Sequence, residues 1–257
     1  MAPVRNTLIE LLPREDRRIV ESICRPVEVQ LGEILQQADA PTRQVYFPTG
    51  ALVSLFATCG AQPCVEVAMV GHEGMVGVQL ALGSEDAPLT AIVQEGGAAL
   101  RADARDFEDA VAASDALRAS AARLMHVTLR QMAASTACLH SHQVAPRLAR
   151  WLLMTQDRAG PRSIHVTQQS LADMLGVRRV GITEAASQLQ RSGLIACHRG
   201  TVEVLDRPRL RAASCGCHKT DRQLYANLFK QQTGSAGDAL PASGNAGDLP
   251  AAAAEGG

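Results

Sequence analysis

Side chains suited to reading nucleic-acid bases are concentrated between residues 168 and 199. An arginine can donate two hydrogen bonds to guanine, a glutamate can accept one from the amine of cytosine, and a valine can touch the methyl group of thymine. Glutamines at the start of a helix can bond to phosphate oxygens together with backbone N–H groups. The candidate DNA contacts are Gln168, Gln169, Arg178, Arg179, Val180, Thr183, Glu184, Ser187 and Arg199.

Two short helices joined by a tight turn would position these side chains. Gly176 falls at the turn, where a positive φ is required, and Thr167 can cap the first helix with its hydroxyl. Ala172 is small where the two helix backbones approach each other. The sequence therefore predicts a helix-turn-helix over 168–187. The positions expected to point inward are Leu171, Leu175, Val177, Ile182 and Ala185.

The second helix of this unit, about Arg179 to Ser192, is expected to enter the major groove of duplex DNA. Two short apolar runs follow it, Leu194–Ala196 and Thr201–Leu205, and the turn between them carries Arg199. These runs predict a two-stranded wing whose tip reaches a neighbouring phosphate.

The charge distribution supports contact with a polyanion through the same part of the chain. The 257 residues carry a net charge of −1. Residues 1–142 hold 11 Arg and Lys against 17 Asp and Glu, whereas residues 143–219 hold 12 against 5, a net charge of +7. A basic segment beside an acidic one indicates that only the basic one meets nucleic acid.

The remaining sequence predicts a sensor-like β domain and a long connecting helix. Residues 4–24 have helical spacing of apolar residues, and residues 103–112 predict a short helix. From Ser114 there is no Gly or Pro for 29 residues, which predicts one long helix, and a further helix is expected from Pro146 to Gly160. Between 26 and 101, turn residues separate short β-rich runs, which favours an antiparallel barrel or jelly roll. These runs are Val27–Leu31, Gln44–Phe47, Leu52–Ala57, Cys64–Met69, Thr90–Val93 and Ala98–Arg101.

Several classes of protein are excluded by what the sequence lacks. No run of about 18 apolar residues is present, so no membrane contact is expected. The N-terminus lacks the apolar stretch of a secretion signal, which favours the cytoplasm. A metal-dependent jelly-roll enzyme would need a His-x-His pair on its strands, but His140-Ser141-His142 falls at the end of the long helix. We therefore expect no enzymatic activity.

The seven cysteines do not form a recognisable framework. An odd, scattered set argues against disulfides, and no pair of CxxC motifs indicates a zinc site. Cys215, Cys217 and His218 offer three ligands without a fourth, so no metal and no cofactor are predicted. Cys59 and Cys64 could approach each other across a hairpin, which leaves redox sensing open as an alternative.

The whole layout resembles the Crp/Fnr family of bacterial transcription regulators. The resemblance covers about residues 10–215 and is strongest over 164–205. It implies an α+β fold with an N-terminal antiparallel β-roll, a long dimerisation helix and a C-terminal winged helix-turn-helix. It also implies a homodimer on a palindromic operator, contact with RNA polymerase and control by a small-molecule effector that the sequence leaves unknown. Arg179 falls where the family commonly has a base-contacting arginine, whereas Val180 and Glu184 depart from the cyclic-AMP receptor protein.

The sensory part departs further from the cyclic-nucleotide members of that family. Leu89-Thr90 stands where those members have Arg-Thr, and no Arg or Lys lies between Arg43 and Arg101. A cyclic phosphate would therefore lack a charge-assisted partner, so we expect the effector site to be altered or lost. Cys24 alone does not suffice for the family's iron–sulfur centre, and His72 is the only β-roll candidate for a haem ligand. A β-roll that binds a protein partner stays open as an alternative.

These observations divide the chain into four segments. Residues 1–113 form the predicted β-roll with flanking helices, and residues 114–142 form the connecting dimerisation helix. Residues 143–219 form the predicted DNA-binding domain. Residues 220–257 are a tail that is expected to be mostly disordered from Gln231, because its Ala, Gly and Pro cannot offset the entropy of ordering.

Overall fold

The computed structural model describes residues 5–60, 62–160 and 163–234. Two helices open the described chain, α1 over Thr7–Glu10 and α2 over Arg14–Ile23. The sequence predicted a single helix over 4–24, and this is wrong because Pro13 lies at the N-cap of α2. Proline has no backbone N–H to continue the hydrogen bonds of a preceding helix. The guanidinium of Arg17 instead donates to the carbonyls of Glu10 and Leu12 in the break.

Seven antiparallel strands form the β-roll that follows. The strands are β1 Arg25–Val29, β2 Ile34–Gln36, β3 Gln44–Pro48, β4 Leu52–Cys59, β5 Gln62–Val70, β6 Thr90–Glu95 and β7 Gly97–Asp103. One sheet has the order β1-β7-β3 and the other has the order β2-β6-β4-β5. Each of the six predicted β-rich runs overlaps a strand, but the three-residue strand β2 was missed. A 3₁₀ helix over Val78–Leu82 lies between β5 and β6.

Three helices connect the β-roll to the C-terminal part: α3 over Ala104–Ala113, α4 over Asp115–Ser141 and α5 over Val144–Ala159. The Ser114 hydroxyl accepts a hydrogen bond from the N–H of Leu117 and so caps α4. The predicted long helix is therefore present. Its buried face consists of Leu117, Ser120, Ala121, Leu124, Val127, Gln131, Ser135 and Cys138.

The C-terminal part contains the predicted winged helix-turn-helix. Helices α6 (Gln168–Met174) and α7 (Arg179–Arg191) form the helix pair. Strand β8 (Ser163–His165) joins the wing strands β9 (Ile195–His198) and β10 (Thr201–Val204) in the order β8-β10-β9. The α+β organisation expected from the sequence is confirmed. Among the described residues, no helix is long and apolar enough to cross a bilayer.

Two further helices complete the described chain, α8 over Arg207–Ala213 and α9 over Cys217–Gly234. No helix was predicted for residues 220–230, yet α9 runs through this segment and packs against α4. Disorder was predicted from Gln231 onward, but α9 extends to Gly234. The rest of this tail, beyond Gly234, lies outside the described residues.

One apolar core joins the β-roll to the C-terminal part. Leu52, Phe56 and Met69 of the β-roll lie in the same buried cluster as Trp151 of α5 and Leu171 of α6. The helix-turn-helix is therefore packed directly on the sheet that contains β4 and β5.

Candidate nucleic-acid interface

The first helix of the helix-turn-helix is fixed by local interactions that the sequence predicted. The N–H of Ser170 donates to Oγ1 of Thr167 at 3.0 Å, which caps α6. Gly176 has φ +58° in the turn, where any side chain would be strained. A Cβ at this position would also lie 3.3 Å from Val65 of β5. The turn thus requires glycine for its backbone and for its close approach to the β-roll.

Helix α7 buries one face and exposes the other. Ile182, Ala185 and Leu189 are buried, as the spacing predicts. The opposite face carries predicted base-reading residues, and Val180 is 67% exposed. Arg178, Arg179, Thr183 and Glu184 are also exposed, and Ser187 is half-buried. The structure therefore gathers these predicted contacts on one solvent-facing surface of α7 and its N-cap.

The N-terminal end of α6 is tied to this surface. Thr183 donates from its hydroxyl to Oε1 of Gln168 at 3.0 Å and to the carbonyl of Arg179 at 3.1 Å. Gln169 is exposed and its amide donates to Asp173 at 2.8 Å. Gln168 and Thr183, both predicted from sequence as DNA contacts, are thus direct partners of each other.

An open groove of about 590 Å³ separates α7 from the wing. Its walls include Gln168 and Gln169 at the start of α6, Arg179 at the start of α7 and Arg199 at the tip of the wing. The turn between β9 and β10 places Arg199 in an exposed position. All the predicted DNA contacts therefore lie on or beside one surface with an unobstructed concave centre.

A half-buried carboxyl group links the β-roll to the DNA-binding part. Glu66 of β5 accepts hydrogen bonds from the hydroxyl of Ser54 at 2.5 Å and from Nε1 of Trp151 at 3.1 Å. Burial raises the pKa of Glu66 to about 7, although both hydrogen bonds and the charge of Arg150 act in the opposite direction. The carboxyl group therefore changes its ionisation near neutral pH at the contact between β5 and α5.

A second buried polar group joins three separate segments. Arg158 of α5 donates to Glu73, which follows β5, at 2.8 Å and to Asp221 of α9 at 3.0 Å. The ring of Tyr225 lies 4.8 Å from its guanidinium carbon. Asp221 also accepts from the amide of Gln131 on α4 at 2.6 Å. Sequence reasoning missed this network because its members are far apart along the chain.

Helix α9 makes a further polar contact with α5 through His218. Its Nε2 lies 2.8 Å from Oδ2 of Asp157, which also accepts from Arg207. Burial alone would raise the pKa of Asp157, but the hydrogen bond from His218 and the charge of Arg207 outweigh it and lower that pKa. His218 is therefore committed to Asp157 and does not face Cys215 and Cys217 as a third ligand.

Four other side chains converge where α4 ends and α9 begins. Cys138, His142, Cys215 and Cys217 place their sulfur and nitrogen donor atoms within 4.8 Å of one another. From the sequence, only the donors of residues 215–218 could be grouped, because Cys138 and His142 lie more than 70 residues earlier. We refer to Cys138, His142, Cys215 and Cys217 as the donor cluster.

In the Crp/Fnr family, residues 71–93 would form the segment that meets a cyclic phosphate. Here, residues of this segment make hydrogen bonds and close contacts with other parts of the protein. The hydroxyl of Thr90 is buried and accepts a hydrogen bond from the N–H of Ala38 at 3.2 Å. His72 pairs through Nδ1 with the hydroxyl of Thr7 at 3.1 Å. A Cβ on Gly71 would lie 2.7 Å from Cβ of Arg158, so this glycine permits the close approach of α5. The side chains of Cys59 and Cys64, the suggested redox pair, lie outside the described residues.

Comparisons with known proteins agree with this geometry. The family model of the Crp-like helix-turn-helix domain matches residues 146–213. The structure of FixK2 from Bradyrhizobium japonicum has a TM-score of 0.63 at 16% identity, covering 75% of this chain and 98% of that chain. A transcriptional regulator of the Crp/Fnr family from Eubacterium rectale has a TM-score of 0.63 at 16% identity, covering 80% of this chain and 96% of that chain.

The c-di-GMP-responsive regulator CLP from Xanthomonas campestris has a TM-score of 0.58 at 15% identity, covering 76% of this chain and 100% of that chain. At these identities the similarity establishes the fold. No curated protein sequence matches this chain.

Proposed function

We propose that this chain, whose residues 146–213 are a Crp-like helix-turn-helix domain within a Crp/Fnr-type fold, is a transcription regulator that binds a palindromic operator as a homodimer. The observation that carries the proposal is the exposed surface of α7, which presents base-reading side chains beside an open groove. The net charge of +7 on residues 143–219 supports the same conclusion, because it favours contact with phosphates.

The exposed residues divide into two roles in this proposal. Arg179, Val180 and Glu184 contact base edges through guanine, thymine and cytosine groups, respectively. Arg178, Thr183 and Ser187 adjoin them on the same surface. Gln168, Gln169 and Arg199 contact phosphates and fix the register of the protein on the duplex.

The homodimer rests on the outer stripe of α4. We use this name for the residues that face away from the β-roll and α9. Leu129, at its centre, is 60% exposed, whereas Leu124 and Val127 on the inner side are buried. A largely apolar and partly exposed stripe along a 27-residue helix is suited to pairing with the same stripe of a second chain. The outer stripe consists of Ala122, Met125, Leu129, Met132, Ala133 and Thr136.

The effector site is proposed to be altered or lost. No Arg or Lys lies between Arg43 and Arg101, so the β-roll offers no cation to a cyclic phosphate in the usual place. The hydroxyl of Thr90 accepts a hydrogen bond from the N–H of Ala38 within the protein. The regulator would act in the cytoplasm with RNA polymerase as a partner and without catalytic activity. The four segments 1–113, 114–142, 143–219 and 220–257 would be its sensor, connector, DNA-binding domain and tail.

Selection from random duplex DNA tests this function. The purified full-length protein is incubated with a random-sequence library at a fixed salt concentration, and the bound fraction is sequenced. We expect an inverted repeat whose half-sites are about one helical turn apart. A failure to bind any DNA at any salt concentration would contradict the helix-turn-helix assignment. Salt-sensitive binding without enrichment of any sequence would contradict the prediction that the protein recognises its operator without an added effector.

A further inference from the structure

The donor cluster has no part in the proposed DNA contacts. Cys138 lies in the last turn of α4, and His142 is the residue that ends this helix. Cys215 and Cys217 flank Gly216, and α9 begins at Cys217. Side chains from two distant segments of the chain therefore meet at the point where α4 gives way to α5.

Two distances between donor atoms match tetrahedral coordination of one ion. Zinc bonds to sulfur at about 2.3 Å and to nitrogen at about 2.0–2.1 Å, so neighbouring ligand atoms in a tetrahedron are about 3.5–3.8 Å apart. Sγ of Cys138 lies 3.5 Å from Sγ of Cys215, and Sγ of Cys217 lies 3.8 Å from Nδ1 of His142. The other pairs of donor atoms are within 4.8 Å.

A buried cation lies beside the donor cluster. Arg150 is buried within electrostatic range of Cys138 and Cys215, and its Nε has no hydrogen-bond partner among the described residues. Three thiolates, one imidazole and one divalent cation have a net charge of −1, which a neighbouring guanidinium balances.

We propose that Cys138, His142, Cys215 and Cys217 bind one Zn²⁺ ion in a closed structural site. Zinc is the ion that protein sites with three cysteines and one histidine hold in tetrahedral geometry. Binding replaces the protons of the three thiols, which are released to solvent, and the imidazole binds in its neutral form. No oxidation or reduction is involved, because Zn²⁺ has no redox chemistry under these conditions.

The position of the site gives the ion a structural role. Gln143 alone separates His142 from the first residue of α5, so the site lies at the connection between α4 and the DNA-binding part. The N–H of Cys215 donates to the carbonyl of Pro146 at 3.4 Å, which brings the start of α9 onto α5 as well. An ion at this point ties α4 to α9 and fixes the angle at which α5 leaves α4.

Metal analysis of the full-length protein tests the proposal. The protein is purified under reducing conditions, and its zinc and iron contents are measured by plasma mass spectrometry. We expect about one zinc per chain. The variants Cys217→Ser and His142→Ala should each lose most of this zinc, because each removes one of four ligands. Cys24→Ser and Cys197→Ser are the matched controls, because both cysteines lie outside the donor cluster and should leave zinc binding unchanged.

Cobalt provides a second readout of the coordination sphere. The zinc-free protein is titrated with Co²⁺, and we expect thiolate-to-cobalt charge-transfer bands with the strong visible absorption of a tetrahedral site. Circular dichroism of each variant shows whether it is folded. A folded His142→Ala protein that keeps the full zinc content would exclude His142 as a ligand and overturn the four-ligand site.

Three results would refute the zinc site in the wild-type protein. One is the absence of zinc and cobalt binding while all cysteines are reduced and reactive. Another is iron with acid-labile sulfide in place of zinc, which would indicate a cluster. The third is a Cys138–Cys215 disulfide in the reduced preparation, found by peptide mass spectrometry. Because none of these readouts uses DNA, they are independent of the proposed function.

Discussion

Arg158 and Glu73 form a buried ion pair across the contact between α5 and the β-roll, with Nε 2.8 Å from Oε1. Both side chains are less than 10% exposed, and Asp221 of α9 supplies a second carboxylate at 3.0 Å. Removing one partner of a buried pair leaves uncompensated charge in a medium of low polarity. The relative position of β-roll, α5 and α9 therefore depends on this arginine.

Arg158→Ala should lower the free energy of unfolding by about 3–5 kcal/mol, because Glu73 and Asp221 stay buried without a cation. Urea denaturation at neutral pH measures this change. Arg5→Ala is the control, because Arg5 pairs with Glu10 on the surface and should contribute at most about 1 kcal/mol. Equal stability of Arg158→Ala and the wild-type protein would show that the ion pair does not hold these segments together.

Arg179→Ala should cost about 1–3 kcal/mol of operator affinity and relax base preference at one position of each half-site. Binding of the variant to a set of operators with single base changes measures both effects. Arg191→Ala is the control, since Arg191 is exposed at the far end of α7 and should leave the base preference unchanged. An equal loss on every DNA sequence would instead make Arg179 a phosphate contact.

Stability should decrease as pH rises from about 4.5 to about 7, through the titration of Glu66. Burial raises the pKa of this carboxyl from 4.5 to about 7, so the folded protein holds a proton that the unfolded chain has released. The stabilisation that the bound proton of Glu66 gives the folded protein is complete below pH 4.5 and is lost as the pH passes 7. It amounts to at most about 3–4 kcal/mol, since one unit of pKa corresponds to about 1.4 kcal/mol.

Glu66→Gln isolates this contribution, because glutamine is isosteric with the carboxyl group and does not titrate. The difference in free energy of unfolding between wild type and variant is measured by urea denaturation at intervals from pH 4.5 to 8. As the pH increases, the variant should become more stable relative to the wild-type protein. A difference that stays constant over this range would mean that Glu66 titrates near its ordinary pKa.

Leu129→Glu should convert the proposed dimer to monomers, because it places a charge at the centre of the outer stripe of α4. Sedimentation equilibrium of the full-length protein measures the molecular mass over a range of concentrations. Ala112→Glu is the control, because it introduces the same charge on an exposed position of α3. If the Leu129→Glu protein has the same molecular mass in solution as the wild-type protein, the outer stripe is not the dimer contact.

Features that depend on neighbouring residues were predictable from the sequence. Thr167 caps α6 through the N–H three residues later, and Gly176 has the positive φ that its turn requires. The buried positions Ile182 and Ala185 follow from helical periodicity alone. For the same reason, the exposed positions of α7 could be identified before the structure was known.

Features that depend on distant residues were not predictable. Cys138 lies 77 positions before Cys215 in the chain, and no spacing rule joins them. Helix α9 has little amphipathic pattern of its own, and it is held by Asp221 and Tyr225 against α4 and α5. Strand β2 has only three residues, which is too short for alternation to be recognised.

The place of α9 at the end of the described chain affects the order in which the protein completes its fold during synthesis. Arg158 leaves the ribosome about 60 residues before Asp221, a delay of about 3–12 s at ordinary rates of translation. During this interval the helix-turn-helix has been made, but the carboxylate of α9 that pairs with Arg158 has not. The nascent β-roll and DNA-binding part therefore reach their final arrangement only after α9 has been made.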